Sequence, residues 1–317
     1  MHKVLLVGSG QLGSRYLEGI AKSKLNLKIV VVDKSQSSLK KAKKIWNSKN
    51  KVGSKKEINW HQKLPSYNSE YDLAIISTSS RGRAKLINDI SKKFSIKFWL
   101  LEKILAQSTN ELNLIHLSTS KSNKVYVNTP RRIMRWFKKI KSEVLDSKVV
   151  KIISHDDKWG LACNAIHYID FVSWLTKKSL VSINTKKLDK KWFSSKRKGY
   201  KEIDGELLAK FQDSIELSIK SNPNLKKKLE LNLSNEILWK IDEKKGIAKS
   251  TNGKKILGKV ELQSMMTSGI IRQILIRGSC DLPELKESIK QHKKLITSLL
   301  QHWNKVNKSN NKLLPIT

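Results

Sequence analysis

Six residues near the start of the chain, Gly8-Ser9-Gly10-Gln11-Leu12-Gly13, narrow its possible folds more than any other feature. They follow the apolar run Lys3-Val4-Leu5-Leu6-Val7, which reads as a strand buried on both faces of a parallel sheet. They open a segment, Gln11 to Ser23, in which Leu12, Tyr16, Leu17, Ile20 and Ala21 recur at helical spacing. A glycine-rich turn between a strand and a helix does specific work. Gly8 permits the tight turn, Gly10 lets the main chain approach a pyrophosphate, and Gly13 lets the helix pack closely on the strand. The phosphates would rest on the free amides at the helix start, around Gln11 and Leu12, where the helix dipole is positive.

A second strand, Lys28 to Val32, ends at Asp33. That spacing sets a carboxylate where it can accept hydrogen bonds from the adenosine ribose hydroxyls, which favours NAD. Lys34 and Ser35 could accommodate a 2′-phosphate, so NADP stays open. The competing reading is structural: a tight glycine turn, and an Asp33 that caps the following loop.

Further strands and helices alternate up to Asn128. Helix Ser37 to Trp46, strand Tyr71 to Thr78, helix Arg83 to Phe94, strand Lys97 to Leu101, helix Ser108 to Thr119 and strand Lys124 to Asn128 imply parallel strands with right-handed crossovers. The polar stretch from Trp46 to Asn59 has no readable course. Beyond Pro130 the texture changes to one helix near Arg131 to Val144 and strands at Val149 to Ser154, Gly205 to Phe211, Ser214 to Ile219, Lys228 to Leu233 and Glu236 to Ile241. Turn residues between neighbours, such as Gln212-Asp213, favour antiparallel pairing. Helices are expected at Gly160 to Leu175 and Pro283 to Val306. The expected class is α/β: an N-terminal Rossmann doubly wound parallel sheet over 1–128, and a C-terminal α+β domain with an open, mostly antiparallel sheet over 129–317, for substrate and oligomerisation.

Bulk properties exclude several classes. No apolar run approaches the roughly 20 residues of a membrane span. Val4 to Val7 is too short for the apolar core of a secretory signal, so a cytoplasmic location is expected. Two cysteines, Cys163 and Cys280, do not make a disulfide framework, and no metal site is expected. The formal charge of +37 raises the prospect of an anionic polymer as partner. The basic residues are mostly lysines dispersed along the chain, however, whereas nucleic-acid readers concentrate Arg and aromatics on one face, so no nucleic-acid partner is expected. A milder role is steering an anionic substrate toward a cleft.

The strand Trp99-Leu100-Leu101 ends in Glu102-Lys103, at the sheet edge where ligands bind. With the opening glycine pattern and Ile75-Ile76-Ser77-Thr78-Ser79, this arrangement resembles the Gfo/Idh/MocA oxidoreductases, many of which act on sugars or cyclitols. The family carries Glu-Lys-Pro here; this chain has Glu102-Lys103-Ile104. The resemblance implies that Lys103 reaches the reacting hydroxyl and the nicotinamide ribose, and that Ser77, Thr78 and Glu102 belong to the cofactor site. It extends to Gly160 to Asp170, where the family has a helical Asp, three residues, a His and then another Asp. His167 and Asp170 match, and Cys163 stands at the first Asp position. Cys163, Asn164, His167 and Asp170 fall at spacings that let them share one helix face. Arg131 and Arg132 could hold a substrate carboxylate, or form salt bridges.

The function this implies is NAD(P)-dependent oxidoreduction, a hydride moving between nicotinamide and a carbinol or carbonyl carbon of a sugar-like substrate. Lys103 would stabilise alkoxide charge and His167 would take the hydroxyl proton, while Arg131, Asn164 and Asp170 would meet the substrate. The alternative, motivated by Ile104 and Cys163, is a nicotinamide-cofactor-binding protein with lost or altered catalysis that acts as a sensor or partner protein. The resemblance also implies a homo-oligomer.

Overall fold

The computed structural model of the chain describes residues 1–50, 55–66, 69–144, 148–157 and 159–317. In chain order the elements begin with β1 (His2–Val7), α1 (Gln11–Ala21), β2 (Leu27–Val32), α2 (Gln36–Lys49), β3 (Lys56–His61), β4 (Glu70–Ile76), α3 (Arg83–Lys93), β5 (Ser95–Glu102), α4 (Thr109–Ser118) and β6 (Lys124–Asn128). A 3-10 turn, Pro130–Ile133, leads to α5 (Arg135–Val144), β7 (Val149–Asp156), α6 (Leu161–Thr176) and β8 (Leu180–Leu188). The short strands β9 (Phe193–Ser194) and β10 (Lys201–Glu202) precede β11 (Gly205–Phe211), β12 (Glu216–Ser221), β13 (Lys228–Leu233), β14 (Leu238–Asp242), β15 (Ile247–Ser250) and β16 (Lys255–Leu257). Two helices, α7 (Gln263–Arg277) and α8 (Leu285–Asn307), complete the described elements.

The first six strands form one sheet in the order β3-β2-β1-β4-β5-β6, with every pairing parallel. This is the doubly wound order expected of a Rossmann sheet, whose switch point lies between β1 and β4. The apolar runs explain it: Val4 to Val7, Ile29 to Val32 and Leu73 to Ile76 are all buried, as strands covered by helices on both faces must be. Register then aligns the functional edge. Val7 pairs with both Val32 and Ile76, and Ile76 pairs with Leu101, so Gly8, Asp33, Ser77 and Glu102 follow one another along the carboxyl ends of the strands.

Eight later strands form the second sheet, ordered β16-β15-β14-β13-β7-β12-β11-β8. Among the described residues only the β7–β12 pairing in this sheet is parallel. α6 packs on this sheet against β12 and β7. The expected fold class is therefore the observed one.

The chain divides into two compact units. The first holds Met1–Ala106, Asn110–Asn128 and Glu261–Lys286, and the second Gln107–Thr109, Thr129–Val260 and Glu287–Thr317. The segment 261–286 thus belongs with the parallel sheet, although the sequence reading leaves it in the 129–317 half. Its helix α7 packs on α1 at close quarters, for a methyl group on Gly19 would lie 2.5 Å from Thr267 Cβ.

Some elements differ from the sequence reading for identifiable reasons. The expected helix from Arg131 to Val144 is broken at Met134, whose extended backbone (φ −67°, ψ 128°) separates the 3-10 turn from α5. The unassigned polar stretch after Trp46 contains β3, an edge strand with no fully buried residue and hence no apolar run to read; its residues 51–54 lie outside the described residues. No helix among the described residues is long and apolar enough to cross a membrane.

Candidate active site

The glycine turn is built as its sequence demands. Gly8 has φ +94°, a conformation that L-residues rarely adopt. A Cβ on Gly13 would lie 1.9 Å from the Gly8 carbonyl oxygen, so the first turn of α1 is packed directly on the end of β1. Gly10 is different: a Cβ there would meet nothing within 4 Å. The main chain at Gly10 therefore faces open space at the start of α1. No side chain caps this helix end, and no acidic residue stands in its first turn. An uncapped helix start with room beside it is the arrangement that receives an anion such as phosphate.

The neighbouring strand ends close around this turn. Asp33 accepts from the Ser9 amide (2.6 Å) and hydroxyl (3.1 Å) through Oδ2, and from the Ser35 amide (2.8 Å) through Oδ1. The carboxylate thus fixes the glycine turn to the end of β2 and also caps the loop that follows. Two carboxylate oxygens offer about four acceptor sites, so capacity for ribose hydroxyls remains. The Ser77 hydroxyl lies under the turn and donates to the Gly8 carbonyl (2.6 Å). Thr78 abuts Gly8, and its Oγ1 is buried with no hydrogen-bond partner among the described residues. A buried hydroxyl is seldom left unpaired, and an orphan beside an open helix start fits a ligand that supplies the partner.

Glu102, expected at the cofactor site, is only 3% exposed at the carboxyl end of β5. Its Oε1 accepts from the Tyr16 hydroxyl (2.5 Å) and the Asn128 amide (2.6 Å). Asn128 also donates to Gln263 (2.8 Å), whose own amide donates to Thr267 (3.1 Å). Burial raises the Glu102 carboxyl above its ordinary range, against the opposing pull of Tyr16, Asn128, Arg83 and Lys103. The same burial, with Glu102 beside it, holds the Tyr16 phenol well above its usual value. Glu102 is thereby a knot joining α1, β6 and α7 beneath the sheet edge. Lys103, the next residue, is partly exposed, and the Lys103–Ile104 peptide is cis.

Arg83 is a buried cation at the candidate site that the sequence alone does not single out. It is 1% exposed, and its guanidinium donates to the carbonyls of Glu102 (2.5 Å), Ile104 and Thr78. It therefore ties the ends of β4 and β5 to each other, and with them the segments that carry Thr78 and Lys103. One signal was available. A cation at the first residue of α3 opposes the helix dipole, and such a local inconsistency marks a residue held for another purpose.

In the second unit, Cys163, Asn164 and His167 share the partly exposed face of α6. The Glu202 carboxylate accepts from the Ala162 amide (2.9 Å), which caps this helix, and Gly160 (φ +76°) supplies the close approach that the cap requires. Asn164 donates to the carbonyls of Trp159 (2.6 Å) and Gly160 (3.1 Å), and the Cys163 thiol lies 3.4 Å from the Gly160 carbonyl. Asp170 does not share their exposure. It is fully buried, its Oδ2 accepts from Arg132 Nε (3.0 Å), and its Oδ1 accepts from Arg132 as well. Burial pushes this carboxyl up to about 6 in spite of Arg132. Arg131 is likewise engaged inside the unit: it donates to Glu243 (3.1 Å) and stacks over the Tyr168 ring at 4.1 Å. Among the described residues no group of three or more His, Cys, Asp or Glu could hold a metal ion.

No protein-family model matches this sequence, and no curated protein matches it. Solved structures do match in three dimensions. An oxidoreductase from Agrobacterium radiobacter in complex with NAD+, L-tartaric acid and magnesium superposes with a TM-score of 0.72 at 11% identity, covering 96% of this chain and 97% of that one. Levoglucosan dehydrogenase in complex with NADH and L-sorbose gives 0.70 at 13% identity, covering 96% and 97%. Myo-inositol 2-dehydrogenase from Lactobacillus plantarum gives 0.68 at 15% identity, covering 100% and 99%. This chain has the fold of these oxidoreductases. That is the fold the Gfo/Idh/MocA resemblance implies, and it extends over both compact units.

Proposed function

We propose that the protein is a dehydrogenase or reductase of the Gfo/Idh/MocA type, dependent on NAD or NADP, that acts on a carbinol or carbonyl carbon of a sugar-like substrate. The single observation that carries the reading is the glycine turn, with Gly13 sealed on Gly8, Gly10 open, and the orphaned Thr78 hydroxyl beside it. The names of the similar structures, two of them with NAD+ or NADH bound, support the same choice.

When bound, the nicotinamide supplies or accepts the hydride. The main-chain amides at Gln11 and Leu12 bind the pyrophosphate, with Gly8, Gly10 and Gly13 giving it access. Asp33 accepts from the adenosine ribose, which favours NAD. Ser77 holds the turn in shape, and Thr78 donates or accepts beside it. Glu102 positions Lys103, which stabilises negative charge on the substrate oxygen. His167 takes the hydroxyl proton during oxidation and returns it during reduction. Asn164 contributes to the substrate side. Arg131 and Asp170 hold the α6 region through Glu243 and Arg132 rather than by touching substrate. Cytoplasmic residence, self-association and a small-molecule rather than nucleic-acid partner follow from the sequence and the family resemblance as part of this proposal.

The test is a fluorescence titration with NADH and NADPH, followed by turnover of a polyol, aldose and keto-sugar panel with the better cofactor. Lys103→Ala and His167→Ala should each abolish turnover while leaving cofactor binding. Full activity in either variant removes the role assigned to that residue. One observation favours a second reading: Asn164, Cys163 and Asp170 all make bonds within their own unit. A cofactor-binding sensor or partner protein with altered catalysis would bind NADH and turn over nothing in the panel.

A further inference from the structure

The second unit contains a cavity of about 490 Å³ at the C-terminal end of α6, bounded by α5, the start of β8 and the N-terminal half of α8. It lies some ten residues along α6 from His167, about 15 Å at the helical rise. Among the described residues, six cations and a single carboxylate, Glu287, line it. Several of the cations already have partners: Arg132 holds Asp170 and Glu287, Lys178 pairs with Asp213 (2.7 Å), Lys294 donates to the Val181 carbonyl (2.8 Å), and Lys141 lies 4.3 Å over the Trp174 ring. Lys177 and Lys290 line the cavity from exposed positions and form no ion pair among the described residues.

Two further side chains make this more than a basic patch. Ser173 and Gln291, 8% and 4% exposed, both line the cavity, and Ser173 Oγ and Gln291 Oε1 are buried with no hydrogen-bond partner among the described residues. Buried polar atoms are normally satisfied, so two orphans in one cavity mark a place where a ligand supplies the partners. The cationic crowding is already felt: burial, Lys177 and Arg132 all hold the Lys141 ammonium below its ordinary value. The C-terminal end of α6 adds about half a negative charge, which is small against the cations gathered there.

We propose that this cavity binds a small, multiply phosphorylated molecule. A single carboxylate would neutralise one cation, whereas each phosphate monoester brings a charge of about −1.5 to −2 and three acceptor oxygens. The volume lies within the range of roughly 300–1,000 Å³ typical of small-molecule sites. The Ser173 hydroxyl donates to a phosphate oxygen. Gln291 Oε1 accepts from a hydroxyl of the ligand, so the class is a phosphorylated polyol or sugar rather than a bare inorganic chain. The dispersed lysines of this chain are then not all equivalent: those at the end of α6 and along α8 have a common target.

The test is isothermal titration of the full chain with inorganic tripolyphosphate and with myo-inositol hexakisphosphate at 150 mM salt. The wild type should show a saturable class with one site per chain. Lys177→Glu/Lys290→Glu should weaken that class at least tenfold. Lys40→Glu/Lys43→Glu, the same change of charge on the exposed face of α2, should leave it within twofold. Ser173→Ala, which removes one buried hydroxyl and needs no refolding of the helix, should weaken it several-fold with unchanged thermal unfolding. Three results overturn the proposal: no saturable binding, equal weakening by the two lysine pairs, or a class that survives Lys177→Glu/Lys290→Glu intact, as binding at the glycine turn would. A single-stranded oligonucleotide that displaces tripolyphosphate and binds the cavity more tightly than the hexakisphosphate would also overturn it, in favour of a polymer.

Discussion

Adding one methyl group to the glycine turn should have opposite consequences at two positions three residues apart. At Gly13 the methyl carbon would stand 1.9 Å from the Gly8 oxygen, 2.8 Å from its carbonyl carbon and 3.0 Å from Ser77 Oγ. Non-bonded atoms settle at about 3.5–4.0 Å, so the helix start would have to retreat by more than 1 Å from a backbone that is itself hydrogen-bonded to β2. Overpacking of this kind costs about 1–3 kcal/mol, and backbone on both sides of the clash sets the cost near the top of that range. With about 2.1 cal/mol/K of unfolding entropy per residue, a chain of 317 residues loses about 1.5 °C for each kcal/mol, so Gly13→Ala should melt roughly 4–5 °C lower. At Gly10 the methyl meets nothing within 4 Å, and φ is −61°, comfortable for alanine. Gly10→Ala should leave the cofactor-free protein unchanged, or more stable by about 0.4–1 kcal/mol through loss of unfolded-state freedom. Its methyl nevertheless enters the space assigned to the pyrophosphate, so NADH affinity should fall at least tenfold, about 1.4 kcal/mol. Thermal unfolding without ligand and a nicotinamide fluorescence titration measure the two effects separately. A Gly10→Ala protein that binds NADH as the wild type does would refute the assignment of the pyrophosphate to this turn, and an unshifted melting temperature for Gly13→Ala would refute the packing argument.

Other expectations follow from the buried polar groups. Asp170 carries a folded-state pKa of about 6 against an ordinary 3.8, so between those values the folded state holds the extra proton. Its contribution is therefore fully present below about pH 4 and is lost as pH rises through 6, by roughly 3 kcal/mol. Urea unfolding at pH 4 and pH 7 should show that decline in the wild type relative to Asp170→Asn; parallel pH profiles for the two proteins would contradict it. Arg83→Met strands the carbonyls of Thr78, Glu102 and Ile104, and should cost about 3–5 kcal/mol in unfolding free energy together with weaker NADH binding. Unfolding within 1 kcal/mol of wild type would show that the arginine is not the fastening it is taken to be. Gly19→Ala brings a methyl to 2.5 Å from Thr267 and should destabilise by about 1–3 kcal/mol, whereas Gly269→Ala, with nothing within 4 Å, should not.

The parallel sheet was legible because its strands are buried on both faces and so appear as uninterrupted apolar runs. Edge strand β3, in which exposed residues such as Glu57 and Asn59 alternate with half-buried ones, gave no such signal. Helix α7 does carry the spacing Met266, Ile270, Ile271, Ile274, all buried, but Gly269 and the small residues that let it approach α1 dilute the pattern. In the site, the glycines and Asp33 could be read because their roles depend on local backbone. The network of Tyr16, Glu102, Asn128 and Gln263 could not, since its members are up to 247 positions apart and meet only through the fold. Asp170 shows the limit of helical spacing as an argument. Three residues beyond His167 it is rotated by about 60° on the helix. That is enough to turn it from the partly exposed face to the guanidinium of Arg132.

The return of residues 261–286 to the parallel-sheet unit sets a timetable for synthesis. When Asn128 leaves the ribosome, the partner of its amide, Gln263, has not been made, and the α1 surface around Gly19 has nothing to cover it. At about 5–20 residues per second, the nascent chain waits roughly 8–30 s before α7 emerges. During that interval the cofactor-type sheet has all six strands but an unsealed flank. A fragment ending near residue 128 should therefore behave as an aggregation-prone intermediate rather than as a minimal nucleotide-binding domain.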